Sequence, residues 1–214
     1  MSLTGSFDAV SSFYDPLSRL VFGKALIRSQ TCFLNLVPQY AHVLIIGGGT
    51  GWIIEELLSK KPSVFITYVE ASVKMLEKSK ERFSNSPFKD QITFILGTHL
   101  TIREEEKYQV VITNFFLDLF QQATLPSIMN PIYKALDKDG LWFFSDFSLR
   151  SKRTYSFLHK ILVRIMYLFF GAFCKIEGNQ LPNFDKAFQD FDLKEVAGLY
   201  FYTDLVQAKV FIKK

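Results

Sequence analysis

Apolar residues along the chain fall into two recurring patterns. Short continuous runs rich in β-branched and aromatic residues are "HVLII" (42–46), "VFITYV" (64–69), "ITFIL" (92–96), "QVVIT" (109–113) and "LWFFSDF" (141–147). They are mostly apolar on both faces, as strands buried in a parallel sheet are. Between several of them lie longer runs with helical spacing: "GWIIEELLSKK", "SVKMLEKSKERF" and "LPSIMNPIYKALDKD". In the second of these, Val73, Leu76, Lys80 and Phe83 fall on one side, with Met75 beside them. "KDG" at 138–140 supplies a glycine stop before the next strand.

This alternation predicts an α/β fold with a mostly parallel sheet and right-handed crossovers. The last stretch differs. "LKEVAGLYFY" and "LVQAKVFIKK" both read as strands, and only Thr203 and Asp204 clearly separate them. That is too short for a crossover, so an antiparallel hairpin at or near one edge is expected. Residues 1–41 read as largely helical, with Asp15 as an N-cap and Pro16 in the first turn. One domain over 1–214 is expected, with 1–41 a helical N-terminal cap and 148–190 a helical insertion.

Composition narrows the class only slightly. The chain has 214 residues, 49% hydrophobic and 21% charged, as ordinary globular proteins are. Aromatics reach 16%, with 23 phenylalanines, which implies a bulky core or an apolar pocket. The net charge of +4 is scattered, the longest basic cluster being "RSKR" at 150–153, so nucleic acid is not an expected partner. Cys32 and Cys174 make neither a Cys-x-x-Cys pair nor a zinc pattern. A reduced, cytoplasmic setting and no metal are expected. The N-terminus has no basic start followed by an apolar core, and no window of about 20 residues is free of charge, so neither a signal peptide nor a spanning helix is expected.

The candidate chemistry sits where the first strand ends, in "HVLIIGGGTGWIIEEL" (42–57). A dinucleotide fingerprint begun at Gly47 demands glycine at position 52, and a triphosphate loop demands a following Lys. Position 52 is Trp and no Lys follows, which weakens both. What remains is G-x-G-x-G: Gly47 for the turn, Gly49 for close backbone approach, Gly51 to open the helix. The second strand ends in Glu70, where a carboxylate can bond both hydroxyls of a ribose.

"VLIIGGGTG", then "VEAS" followed by "KMLEKSKERF", resembles the class I S-adenosylmethionine-dependent methyltransferases. "FDAVSSFYDPLSRLVFG" and the segment "YSFLHKILVRIMYLFFGAFCKIEGNQLPNF" resemble, more weakly, the branch that methylates carbon in ubiquinone and menaquinone biosynthesis. The resemblance implies a three-layer Rossmann-like sheet of seven strands, mostly parallel, with an antiparallel last strand. It implies S-adenosylmethionine as cofactor, S-adenosylhomocysteine as product, and no metal. The cofactor residues it implies are Tyr14, Gly47, Gly48, Gly49, Gly51, Glu70, Ala71, Ser72, Met75, Thr98, His99, Asn114 and Phe115. Two positions depart from the family pattern. The acid common within the glycine motif is Ile45 here, and the usual Gly-Asp after the third strand reads Gly97-Thr98-His99.

Other strand-end residues carry two readings each. Asp118 either orients substrate or caps a helix, and Asp146 fits an ordinary strand-end turn. His42 lies away from the ligand edge, while His99 lies on it and titrates near neutral pH. Residues 152–175 are apolar over much of their circumference, with Lys160 and Arg164 opposite. They fit a substrate lid, a helix on a membrane surface, or a homodimer helix; the lid leads, because family members commonly insert a substrate cover there.

The reading is methyl transfer to a small, apolar molecule. Alignment of acceptor and activated methyl supplies most of the catalysis, so no dedicated catalytic pair is required and none is assigned. Two other readings stay open: a methyltransferase-like binding or scaffold domain without turnover, and an NAD-dependent oxidoreductase, which Trp52 disfavours.

Overall fold

Side-by-side pairing of the apolar runs builds the molecule. The computed structural model describes residues 24–103, 105–148 and 181–214. Its strands are β1 (His42–Ile46), β2 (Phe65–Glu70), β3 (Ile92–Leu96), β4 (Tyr108–Asn114), β5 (Leu136–Phe147), β6 (Leu193–Phe201) and β7 (Val206–Lys213). Its α-helices, among the described residues, are α1 (Ala25–Thr31), α2 (Trp52–Lys60), α3 (Val73–Phe83), α4 (Leu125–Ala135) and α5 (Phe184–Gln189). Residues 1–23 of the expected cap and 149–180 of the expected insertion lie outside the described residues.

The seven strands form one sheet in the order β3-β2-β1-β4-β5-β7-β6. The first five are parallel, and β7 runs antiparallel to both β5 and β6. The expected terminal hairpin is therefore real, with β6 at the edge. A core lies on each face. On one, α2 and α3 cover Val43, Ile45, Ile66, Tyr68 and Ile112. On the other, α4 and α5 cover Leu44, Ile46, Val111, Trp142 and Phe144. Because β1 alternates between the two and all of Val43–Ile46 is buried, the strand reads as a continuous apolar run.

The phenylalanine surplus goes into packing. Phe184 and Phe188 of α5 meet Phe144, Trp142 and Phe211 of the sheet, with Phe188 stacked on Phe211 at 4.1 Å between centroids. Lys209 of β7 is buried beside them and pairs with Asp185 at 2.7 Å and Glu195 at 2.9 Å, fastening α5 to the sheet.

Two sequence expectations need correction. In α3 the buried stripe is Met75, Leu76, Ser79 and Phe83, while Val73 and Lys80 are exposed. Ser72 caps this helix, accepting from the Met75 N–H at 3.2 Å, and packing on the sheet turns Ser79 inward with Met75, Leu76 and Phe83. The helix before β5 stops at Ala135, ahead of "KDG". Leu136 already pairs with Tyr108, and the ladder resumes only at Val110 with Leu141, so 137–140 bulge out of the strand. Among the described residues no helix is long and apolar enough to cross a membrane.

One buried polar contact ties the two central strands to the aromatic cluster. Trp142 Nε1 donates to Thr113 Oγ1 at 2.8 Å, and both residues are fully buried. Thr113→Val keeps the shape but orphans the indole N–H. Stability in urea is expected to fall by about 1–3 kcal/mol; an unchanged midpoint would show that the bond contributes nothing.

Candidate functional site

The chain runs outward from β1 to β2 and β3, and in the other direction from β4 to β5. The loops after β1 and β4 therefore diverge, leaving a crevice at the carboxyl ends of the strands, where open α/β sheets bind ligands.

The loop after β1 is built around its glycines. Gly47, Gly49 and Gly51 have φ of 67°, 67° and 80°, a region that side chains disfavour. A Cβ on Gly47 would lie 2.8 Å from the Phe116 ring, on Gly48 2.4 Å from the Tyr68 ring, and on Gly51 2.9 Å from Ser79 Oγ. Gly49 is different: among the described residues an added Cβ would meet only the Met75 sulfur, at 3.9 Å. Gly51 caps α2, and Trp52 is its first residue, half-buried.

Glu70 joins this loop to the next. Its Oε2 accepts from the Gly49 N–H at 3.0 Å and its Oε1 from the Ser72 N–H at 2.8 Å. The carboxylate is buried, 6% exposed, and these bonds offset its loss of water. Gly47, Gly48, Gly49, Gly51, Glu70, Ala71, Ser72 and Met75 thus form one connected wall.

Thr98 and His99 follow β3 at the same edge. Thr98 is engaged locally: its Oγ1 accepts from the Leu100 N–H at 3.2 Å, and its carbonyl accepts from Thr101 Oγ1 at 2.7 Å. His99 stands edge-on to Phe120, its buried Nδ1 has no hydrogen-bond partner, and burial lowers its pKa below the usual imidazole value. After β4, the Asn114 amide nitrogen is likewise buried without a partner. Phe115 adopts φ of 50°, which is costly for a bulky residue, and its ring packs on Phe147 at 5.2 Å. Tyr14 lies outside the described residues, as does His159. His42 sits at the opposite end of β1, stacked on Phe65.

Three features of this edge were not recognised in the sequence. Tyr68 donates its hydroxyl to the Gly49 carbonyl at 2.8 Å, and Ser79 reaches the same oxygen at 3.0 Å. Asp118 and Asp146 meet as a buried pair. The Asp118 N–H donates to Asp146 Oδ2 at 3.3 Å, and Asp146 Oδ1 accepts from the Phe147 N–H at 2.8 Å. Asp146 is thus more than a strand-end turn: it ties β5 to the loop after β4. Burial pushes the Asp118 carboxyl up to about 7. Burial, and then the neighbouring Asp118, hold Asp146 well above the carboxylate range. A buried tyrosine mid-strand, whose hydroxyl needs a partner, was the available signal for Tyr68.

A glycine-lined strand-to-helix turn, with an acid at the end of the adjacent strand, is the arrangement that Rossmann-like folds present at a nucleoside. The comparisons with known proteins make it more specific. Residues 43–140 match the family model described as a methyltransferase domain. A malonyl-[acyl-carrier protein] O-methyltransferase from Priestia megaterium is 30% identical over 113 residues, covering 53% of this chain and 39% of that protein. A demethylmenaquinone methyltransferase from Chlamydia felis is 22% identical over 175 residues, covering 81% of this chain and 74% of that protein. The chain spans only 38–41% of the length of three malonyl-[acyl-carrier protein] O-methyltransferases that it matches. Human N-acetylserotonin methyltransferase, solved with SAM, shares the fold at a TM-score of 0.68 and 17% identity, covering all of this chain and 60% of its own. The likeness to methyltransferases is thus carried by residues 43–140.

The aspartate pair sets a pH dependence. Folded pKa values above the unfolded value of 3.8 mean that the folded state holds extra protons. Their contribution to stability is complete below 3.8 and is lost as pH rises toward about 7. Asp118→Asn is expected to flatten this decline and to gain about 1–3 kcal/mol at pH 7.5. Urea titrations at pH 4.5, 6 and 7.5 measure it; parallel pH profiles for variant and parent would exclude the carboxyl as the source.

Proposed function

We propose that the chain binds S-adenosylmethionine along the wall from Gly47 to Met75 and transfers its methyl group to a small, apolar acceptor, releasing S-adenosylhomocysteine. The observation that carries this reading is the pairing of Gly49 with Glu70. Gly49 turns a face without a side chain outward, in a conformation that keeps side chains away. Glu70, bonded to its N–H, places a carboxylate beside that face. A glycine face admits the amino-acid end of the cofactor at backbone distance, and a carboxylate accepts from a ribose diol.

The cofactor supplies a methyl on a positive sulfonium, already activated for transfer. The protein's part is to hold, align and exclude water. Glu70 with the glycine loop does the holding, Met75 and Ala71 line the wall beside it, and Thr98 and His99 border the adenine side. His99, kept neutral by burial at pH 7, presents a ring that hydrogen bonds without adding charge. Asn114 and Phe115 stand where the acceptor meets the methyl, and Phe115 with Phe147 gives that place an aromatic, apolar surface. Tyr14 and residues 152–175 lie outside the described residues. The chain works in the cytoplasm, without a metal; its two unpatterned cysteines suit a reducing compartment.

Calorimetric titration with S-adenosylhomocysteine tests the reading. Gly49→Val is expected to abolish binding, because a branched side chain fills the ligand's face and opposes the positive φ. Glu70→Ala is expected to weaken binding by about 10- to 100-fold through loss of charge-assisted bonds. Unchanged affinity in both variants, or tight NAD binding with no response to S-adenosylhomocysteine, would overturn the site assignment. Binding that persists without turnover over a panel of apolar acceptors would instead identify a binding or scaffold domain.

A further inference from the structure

Both peptide planes flanking Gly49 are pinned, and by different groups. The 48–49 peptide is held through the Gly49 N–H, which donates to Glu70 Oε2. The 49–50 peptide is held through the Gly49 carbonyl, which accepts from Tyr68 Oη at 2.8 Å and from Ser79 Oγ at 3.0 Å. The Ser79 hydroxyl has one proton and also lies 3.0 Å from the Met75 carbonyl, so it donates to one oxygen at a time. The Tyr68 hydroxyl also interacts with Ser79 and with the Gly51 backbone, and its short donated bond goes to the Gly49 carbonyl. Burial, and then the Glu70 charge, hold its phenol well above the usual tyrosine value, so it remains a donor at any physiological pH.

The strand that leads into the loop contributes nothing polar to it. Ile45 is 1% exposed and packed in the same apolar core as the Tyr68 ring. All the described side-chain anchors of Gly49 come from β2 and α3. The shapes agree: Gly48 is bare where the Tyr68 ring lies and Gly51 is bare where Ser79 lies, 2.4 Å and 2.9 Å from the added Cβ atoms. The loop is moulded on these two residues.

We propose that Tyr68, seconded by Ser79, is the positioning residue of the cofactor loop: its hydroxyl fixes the Gly49–Thr50 peptide, so that Gly49 presents its bare face before the ligand arrives. Glycine is the residue with most backbone freedom, so fixing it carries a large entropy cost. A loop held beforehand spares the ligand that cost. This inference rests on the cofactor site proposed above.

The test is Tyr68→Phe, which keeps the ring against Gly48 and removes only the hydroxyl, together with Ser79→Ala and the double variant. Two quantities are read: the Kd for S-adenosylhomocysteine, and amide hydrogen exchange of peptides across 47–52 in the ligand-free protein. Tyr68→Phe is expected to weaken binding by about 5- to 50-fold and Ser79→Ala by less. Exchange in 47–52 is expected to quicken while exchange in β4 and β5 stays unchanged. A merely structural role would lower Tm and leave Kd and local exchange as they are. That result, with the parent binding normally, would overturn the proposal. If the parent itself does not bind S-adenosylhomocysteine, the cofactor reading fails on its own. Exchange in ligand-free Tyr68→Phe then still decides the brace: faster supports it, equal rejects it.

Discussion

A single buried carboxylate holds the ligand edge together. Glu70 has lost nearly all contact with water, a cost of several kcal/mol for an ion left uncompensated. Its compensation comes from the backbone. One oxygen takes the Gly49 N–H from the loop after β1, and the other takes the Ser72 N–H from the start of α3. A shift of the glycine loop would cost the carboxylate one of these bonds, and a shift of α3 the other. Ser72 then caps α3, and α3 carries Met75 to the bare face of Gly49 and Ser79 to its carbonyl. Gly49 on the loop and Ser72, Met75 and Ser79 on α3 and its cap, four residues, are thereby positioned by one charge.

The sheet makes this arrangement possible. Parallel register sets Ile46 beside Val69 and Thr113, so the turns after β1, β2 and β4 emerge at one level. Backbone bonds continue past the strand ends: Gly47 donates to Val69, Gly97 to Glu70, and Phe115 to Ser145, at 2.9, 3.0 and 2.7 Å. The loops therefore leave the sheet as stiff extensions of it. Two apolar cores and the phenylalanine cluster under α5 supply the burial that keeps the strands in this register.

The parts legible in the sequence are those for which one residue type answers one backbone need. Gly47, Gly49 and Gly51 announce positive φ, and Glu70 announces itself by standing at the end of an apolar strand. The strands are legible because burial on both faces leaves no polar alternation, and the final hairpin because two residues cannot cross a sheet. What stayed hidden depends on geometry between elements. Tyr68 counted as strand filling, since nothing local shows that its hydroxyl reaches a loop 19 residues back. Ser79 was invisible because the expected stripe ran through Val73 and Lys80, whereas the face of α3 that packs inward carries Ser79. "KDG" promised a helix stop, but pairing of Leu136 with Tyr108 began the strand first.

Asp118 and Asp146 show the same limit at the other half of the crevice. They lie 28 residues apart in the chain, and the parallel pairing of β4 with β5 is what brings them together. Each reads singly as a cap or a turn; together they become a different chemical object. Asp146 accepts two backbone N–H groups, as Glu70 does, so its hydrogen bonds alone would favour the ionised form. Burial and a second carboxyl override them and hold the pair toward protonation. The two ends of one sheet edge thus carry carboxyls in opposite settings. Glu70 accepts from the backbone N–H groups of two different elements. The aspartate pair is held toward protonation by burial and by the nearness of the two carboxyls.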